Sequence, residues 1–424
     1  MSYNGQIVID ADCHIQEYWD MDRTYQEFID PKYREDYQRF SEAVRADQRR
    51  VAETGSGLGA GTSIWMGAVH QHPHFRPMGV HQPFDKQLSV RPVGNGDPAD
   101  VESWDASQHG EALRTVFGKR KVDIAVNWDT GLYLSDMDKA GIDVGVMFAS
   151  QSDNYAMLRD VGFEHALHRA YHEYVHRFCA EAGGRIRWLS NAVIRDAAAS
   201  VADLTYWAER DDNYAGVFVP RIFPDGRLLD NPNLFPLWER SQELDLPIWV
   251  HGNPDHAPLT PGSKVTDNVD MRGVHRAWAG MTALGALIGG GVFDLFPRLR
   301  VAFLENESDW MPWFIEACDN SFRPGSPSTP NLKRKPSDIM AGGQIFCGVD
   351  PDEPMLPQSV ELLGEHPWVF TTDYPHLSGP WPEGVPQLLE RTDVSESAKT
   401  AMVYDNAIRL LPRLANVPVL MGKS

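Results

Sequence analysis

The chain has 424 residues, with 59 acidic against 39 basic side chains and a formal charge of −20. That balance repels the phosphates of nucleic acid and the anionic face of a membrane, so neither is an expected partner. Hydrophobic residues make up 42% and charged residues 23%, which supplies apolar surface for a large core and excludes disorder as the default state.

The opening residues, MSYNGQIVID, carry neither a basic start nor an apolar stretch, and no run reaches the length of a membrane span. Cys13, Cys179, Cys318 and Cys347 show no CxxC spacing, which fits reduced thiols and a cytoplasmic protein. Short apolar runs then alternate with longer amphipathic segments, the signature of βαβ units. Strands are predicted at Ile7–Asp12, Ile142–Ala149, Ile186–Asn191, Ala215–Pro220, Pro247–His251, Arg300–Glu305, Gln344–Val349 and Val369–Asp373. Helices are predicted at Phe163–Ala182, Ala197–Arg210, Pro232–Asp245, Arg272–Asp294, Trp310–Ser321, Pro354–Glu365 and Glu396–Leu411. DVGVMFA, GVFVP and PIWVH are apolar throughout, as in strands covered on both faces. Eight such strands predict an α/β fold, a (β/α)8 TIM-like barrel formed as a single domain over residues 1–424.

The rhythm breaks between the first two strands. The intervening stretch, about 50–130, is rich in Gly, Pro and His and reads as an inserted lid or an oligomer contact. It holds His70, His72 and His74 around Pro73, then His81; alternate imidazoles on an extended segment can bind metal, while Pro73 and the nearby glycines fit an exposed loop. Trp65, Trp104 and Trp128 read either as an apolar cover over a small substrate or as packing.

In a barrel of this class, catalytic groups stand at the C-terminal ends of the strands. Here those ends are polar: Asp12-Cys13-His14 at the first, His251-Gly252-Asn253 at the fifth, Glu305-Asn306-Glu307 at the sixth and Asp373-Tyr374-Pro375-His376 at the eighth. Asp12 and His14, two apart on a strand, face the same side and can reach one ion. Carboxylate with neutral imidazole suits zinc, manganese or iron, and the shortage of thiolates beside these positions argues against a structural zinc site. Taken singly, His251 reads as a hydrogen-bonded core residue and Asp373 as a turn cap; their joint occurrence at strand ends carries the metal reading.

Five passages, IDADCHIQE at Asp10 to Glu17, SDMDKAGID before the second strand, PIWVHGN, GGVFDLFPRLRVAFLENESDWMPW and FTTDYPH, follow one another in barrel order. In them the chain resembles the amidohydrolase superfamily, in the branch that includes aminocarboxymuconate semialdehyde decarboxylase and related hydrolases and decarboxylases. The resemblance implies a divalent metal, zinc foremost with manganese or iron as alternatives, on Asp12, His14, His251 and Asp373. Asp12 stands where many relatives have another residue before x-His, and Asp373 would handle the proton of metal-bound water. Glu305 falls where decarboxylases of the branch usually carry histidine. It reads as a further metal ligand, as a general base, or as the ion-pair partner of Arg221 or Arg276. The fourth strand ends in Val219-Pro220-Arg221 and offers no lysine for a carbamylated, urease-like centre. Arg221, His376 and His275 are candidate substrate contacts; Arg221 can pair with a carboxylate, and His275 reads equally as an ordinary helical residue.

With Asp373, Glu305 and His251 in catalytic roles, the leading expectation is hydrolysis of a small cyclic or aromatic acid or amide by metal-activated water. Non-oxidative decarboxylation is the alternative. A third reading is a dinuclear iron or manganese enzyme that uses dioxygen, or its metal-binding partner subunit. The branch implies a homodimer, with a hetero-oligomer of related barrels as the other assembly.

Overall fold

The computed structural model describes residues 3–42, 124–150, 152–158, 160–223, 226–251, 272–376 and 379–421. Its centre is an eight-stranded parallel sheet with strands in chain order. The strands are β1 (Ile9–Ile15), β2 (Val144–Ala149), β3 (Ile186–Asn191), β4 (Tyr214–Pro220), β5 (Ile248–His251), β6 (Val301–Phe303), β7 (Ile345–Val349) and β8 (Trp368–Phe370). The sheet closes on itself just past β8: Cys13 bridges Tyr374 in parallel, the His14 amide donates to the Tyr374 carbonyl at 2.6 Å, and the Asp373 amide donates to the Asp12 carbonyl at 2.9 Å. The expected (β/α)8 barrel is therefore present.

The principal helices between strands are α1 (Thr130–Ala140), α2 (Val161–Ala180), α3 (Ala197–Ala208), α4 (Phe235–Glu243), α5 (Arg272–Gly289), α6 (Met311–Ser321) and α7 (Leu356–Leu363). Their starts follow local chemistry. Asp129, Asp160 and Asp196 each accept backbone N–H bonds from the first turn of α1, α2 and α3, which satisfies donors that have no partner inside the helix. The 20-residue α2 is consistent with the length of its amphipathic sequence, and one face is buried against the barrel.

Two layers of side chains hold the sheet. The rings of Phe148, Phe218 and Trp249 meet inside the barrel, Phe148 lying 5.9 Å from each of the other two. On the outer face, Trp188 packs 4.9 Å from Trp207 of α3 and 5.0 Å from Tyr214. Large aromatic burial of this kind is the main stabilising term.

Several boundaries differ from those the sequence predicts. β1 runs on to Ile15, because His14 and Ile15 still pair with Phe148 and Ala149 across a register shift between Asp10 and Cys13. β6 and β8 stop early, since Glu305 and Asp373 turn the backbone into the left-handed region at φ 52° and 55°. The helix expected over Arg272–Asp294 breaks into α5 and a short turn at Val292–Leu295. Gly291 sits at the break with φ 70°, and a side chain there would meet the Asn331 backbone. The segment expected as Pro232–Asp245 opens with a 3₁₀ turn at Pro232–Leu234, and that expected as Glu396–Leu411 carries a widened turn over Ala401–Asp405. α1, unpredicted, is formed by the TGLYLSDMDKA sequence.

Most of the predicted insertion, with His70, His72, His74, His81, Trp65 and Trp104, lies outside the described residues. Trp128 is described, and the Arg23 guanidinium stands 5.1 Å from its ring centroid. All four cysteines are free thiols. Among the described residues, no helix is long and apolar enough to cross a membrane.

One buried carboxylate ties the closing seam together. Asp10 Oδ1 accepts the amides of Asp12 and Thr372, each at 3.1 Å, and Oδ2 accepts the Thr372 hydroxyl at 2.5 Å. Burial pushes the Asp10 carboxyl up to about 8, against the hydrogen bonds that favour its anion. Thr372→Val removes one of those donors without changing side-chain volume. It should lower stability by about 1–3 kcal/mol in urea unfolding, and a loss within error of zero would show that the seam does not depend on this bond.

Candidate metal centre at the barrel mouth

β1 delivers two side chains to one point. Asp12 and His14 lie on the same face of the strand, and both are buried. His251 ends β5, and Asp373 lies three residues beyond β8. His14 Nε2 stands 3.2 Å from Asp12 Oδ1 and 3.2 Å from Asp373 Oδ1, while His251 Nε2 stands 3.4 Å from Asp12 Oδ2. The two imidazole rings are 4.8 Å apart. The structure thus gathers Asp12, His14, His251 and Asp373 around one location.

These groups oppose one another electrostatically. Burial disfavours the Asp12 anion, but His251 and His14 outweigh it and hold the carboxyl down at about 2. Asp373 is likewise held well below the ordinary carboxylate range by His376 and His14, again against its burial. Burial opposes protonation of His14, yet Asp12 and Asp373 raise its basicity well above the usual imidazole value. For His251 burial wins, and its basicity falls.

Both carboxylate oxygens of Asp12 and both ring nitrogens of His14 are buried with no hydrogen-bond partner among the described residues, their close approaches lacking hydrogen-bond geometry. Leaving such groups bare is expensive unless a cation engages them. Asp12, His14 and His251 each bring a donor atom within 4.8 Å of the others, and so do His14, Asp373 and His376. The bare Asp12 carboxylate and His14 ring, with His251 and Asp373 beside them, are a donor set that fits a divalent ion. The left-handed backbone at Asp373 and Glu305 is uncommon for side chains of this kind and is concentrated at this rim.

Glu305 reaches the edge of the same cluster. Its Oε1 stands 2.5 Å from Arg276 Nη2, and its Oε2 lies 3.6 Å from His251 Nε2 and 3.7 Å from Arg221 Nη2. Arg221 is buried and donates through Nη2 to the carbonyls of Leu304 and Glu305, each at 2.6 Å, which braces the end of β6. That geometry engages Nη2 with backbone in a buried setting. His275 lies on α5, with its side chain outside the described residues.

His376 Nδ1 lies 2.6 Å from Asp373 Oδ1, and its Nε2 lies 3.0 Å from Ser150 Oγ, whose hydroxyl in turn donates to the Ile15 carbonyl. Both ring nitrogens therefore face acceptors, and Asp373 has a hydrogen-bonded companion at the site. Three further acids, Glu307, Asp350 and Glu353, gather beside β6 and β7. Glu353 accepts the amides of Ser308 and Asp350, which ties these two loops together. Burial, with Glu307 and Asp373 nearby, pushes Asp350 up to about 8.

Sequence reasoning passed over Asp10, Ser150 and this second acid group. Asp10 had a usable signal, since it continues the alternation of Asp12 and His14. Ser150 and Glu353 had none, because only tertiary contact gives them partners.

A family model for amidohydrolases matches residues 9–413. A 2-amino-3-carboxymuconate-6-semialdehyde decarboxylase of Dictyostelium discoideum is 29% identical over 44% of this chain and 50% of its own length, so the chain matches half of that relative. A gamma-resorcylate decarboxylase of Polaromonas sp. is 22% identical over 65% of this chain and 84% of its own. The crystal structure of a 5-carboxyvanillate decarboxylase from Novosphingobium aromaticivorans, complexed with manganese and 4-hydroxy-3-methoxy-5-nitrobenzoic acid, superposes with a TM-score of 0.60 at 16% identity over 96% of each chain. At that identity the likeness to the solved structure shows the fold.

His14→Ala and Asp373→Asn should each lower bound divalent metal by at least about tenfold in equilibrium dialysis while leaving the circular dichroism spectrum intact, as expected for ligands at a rim. Glu305→Gln should retain the metal, because Arg276 already engages that carboxylate. Normal metal content in both ligand variants would remove the centre from this location.

Proposed function

The chain belongs to the amidohydrolase family, and from that premise we propose that it is a metal-dependent decarboxylase of small aromatic acids. The observation that carries this reading is the convergence of Asp12, His14, His251 and Asp373, in which the Asp12 carboxylate and the His14 ring are buried without hydrogen-bond partners among the described residues, in a chain whose relatives named above are decarboxylases. Hydrolysis, the leading expectation from sequence, gives way for the same reason. So does the preference for zinc, because the metal named in the solved neighbour is manganese.

Asp12, His14, His251 and Asp373 would hold a divalent ion, which would supply the positive charge that draws an acidic substrate to the site. In the reaction the bond from ring carbon to carboxylate carbon breaks, carbon dioxide leaves, and the ring carbon takes up a proton. Asp373 and His376, hydrogen-bonded at 2.6 Å, are the pair placed to hold and move that proton. The buried rings of Phe148 and Phe218, packed 4.8 and 5.8 Å from the His251 ring, give the site an apolar wall suited to an aromatic ligand and to excluding water. Arg276 and Glu305 neutralise one another at its edge.

Incubating the manganese-loaded protein with hydroxybenzoates in deuterated water should release carbon dioxide and leave deuterium on the vacated ring carbon. Asp373→Asn should slow this by at least about a hundredfold. Hydrolysis of lactones or aryl amides, with no carbon dioxide released from any acid, would return the assignment to the hydrolytic reading.

A further inference from the structure

Asn191, the last residue of β3, is 3% exposed, and neither its amide nitrogen nor its amide oxygen has a hydrogen-bond partner among the described residues. The backbone is fully engaged: the Asn191 amide donates to His172 Nε2 at 2.9 Å, and the next amide, Ala192, donates to the Phe218 carbonyl at 3.0 Å. The side chain is thus rigidly placed yet unsatisfied, an expensive state for a buried carboxamide.

Strand alternation gives its direction. Trp188 packs on Trp207 of α3, and the Ser190 hydroxyl lies 2.6 Å from that of Tyr214, so these two face the outer layer. Asn191 therefore faces the barrel interior. Register agrees, because Asn191 pairs with Phe218, whose ring lies inside against Phe148 and stands 5.8 Å from the His251 ring. The unsatisfied carboxamide belongs to the apolar wall next to the candidate metal centre.

We infer that Asn191 is a specificity-determining residue, which holds a ring substituent that donates a hydrogen bond, a hydroxyl or an amino group, on the aromatic acid. The inference rests on the decarboxylase reading above and adds the substituent that the site selects. A carboxamide carries a donor and an acceptor side by side. A carboxylate or a methoxy group can only accept and leaves the Asn191 oxygen bare, whereas an amino group serves that oxygen and a hydroxyl serves both atoms. Sites built to hydrogen-bond a polar substituent discriminate strongly against the analogue that lacks it, because their own polar groups are then left unpaired.

The test is calorimetric binding of benzoate, 2-methoxybenzoate, 2-hydroxybenzoate and 2-aminobenzoate to the manganese-loaded full chain, without turnover as a readout. The wild type should favour the hydroxy and amino acids over the other two by about tenfold, and Asn191→Leu should bring all four within about twofold. Asn191→Ser, whose hydroxyl still donates and accepts, should retain part of the preference and guards against a leucine variant that does not fold. A preference that survives in Asn191→Leu overturns the role of Asn191 and leaves the decarboxylase reading standing. Failure of the wild type to bind any of the four acids overturns both.

Discussion

The feature on which the rest depends is the crowding of two carboxylates and two imidazoles within 3.2–3.4 Å contacts in a buried rim. Groups of this kind cannot be removed from water cheaply, and the described residues offer the Asp12 carboxylate and the His14 ring no hydrogen bonds in return. Such a site persists only if the surrounding scaffold over-determines it. Here the scaffold is the seam where the chain beyond β8 pairs with β1, because that pairing sets Asp373 beside His14.

Asp10 belongs to that scaffold. It gathers two amides and a hydroxyl from both sides of the seam, so the backbone carrying Asp12 and the backbone leading to Asp373 are fixed by one side chain. Arg221 plays the corresponding part at β6, where its bonds to the Leu304 and Glu305 carbonyls stabilise the turn that points Glu305 at Arg276. Charged groups therefore serve two purposes at this rim: some converge on one location, and others hold the first set still. The left-handed backbone at Glu305, Glu307 and Asp373 is consistent with that division, since strain of this kind survives only in a well-braced setting.

The aromatic wall adds the other half of the chemistry. Phe148, Phe218 and Trp249 fill the barrel beneath the site, and His14 and His251 stand on that floor, with Phe148 5.7 Å from His14 and 4.8 Å from His251. A low-dielectric floor strengthens every interaction of a bound charge above it and keeps water from competing. It also makes an unsatisfied group such as Asn191 conspicuous.

What the sequence determined by itself was the barrel and the polar residues at or just past the ends of several strands. Continuous apolar runs such as VGVMFA and GVFVP can only be buried on both faces, and period-two spacing puts Asp12 and His14 on one side wherever that strand lies. His251 was legible as the polar residue that closes an apolar strand, and Asp373 as one that follows shortly after another. Tertiary structure alone decided which of the rim groups meet. Whether Glu305 faces metal or Arg276, whether Arg221 is exposed or spent on carbonyls, and whether His376 reaches Asp373 depend on left-handed turns after β6 and β8 and on contacts between distant segments. Hydrophobic periodicity carries no information about either, because it records which face of an element is buried and not which neighbour the chain's closure brings to it.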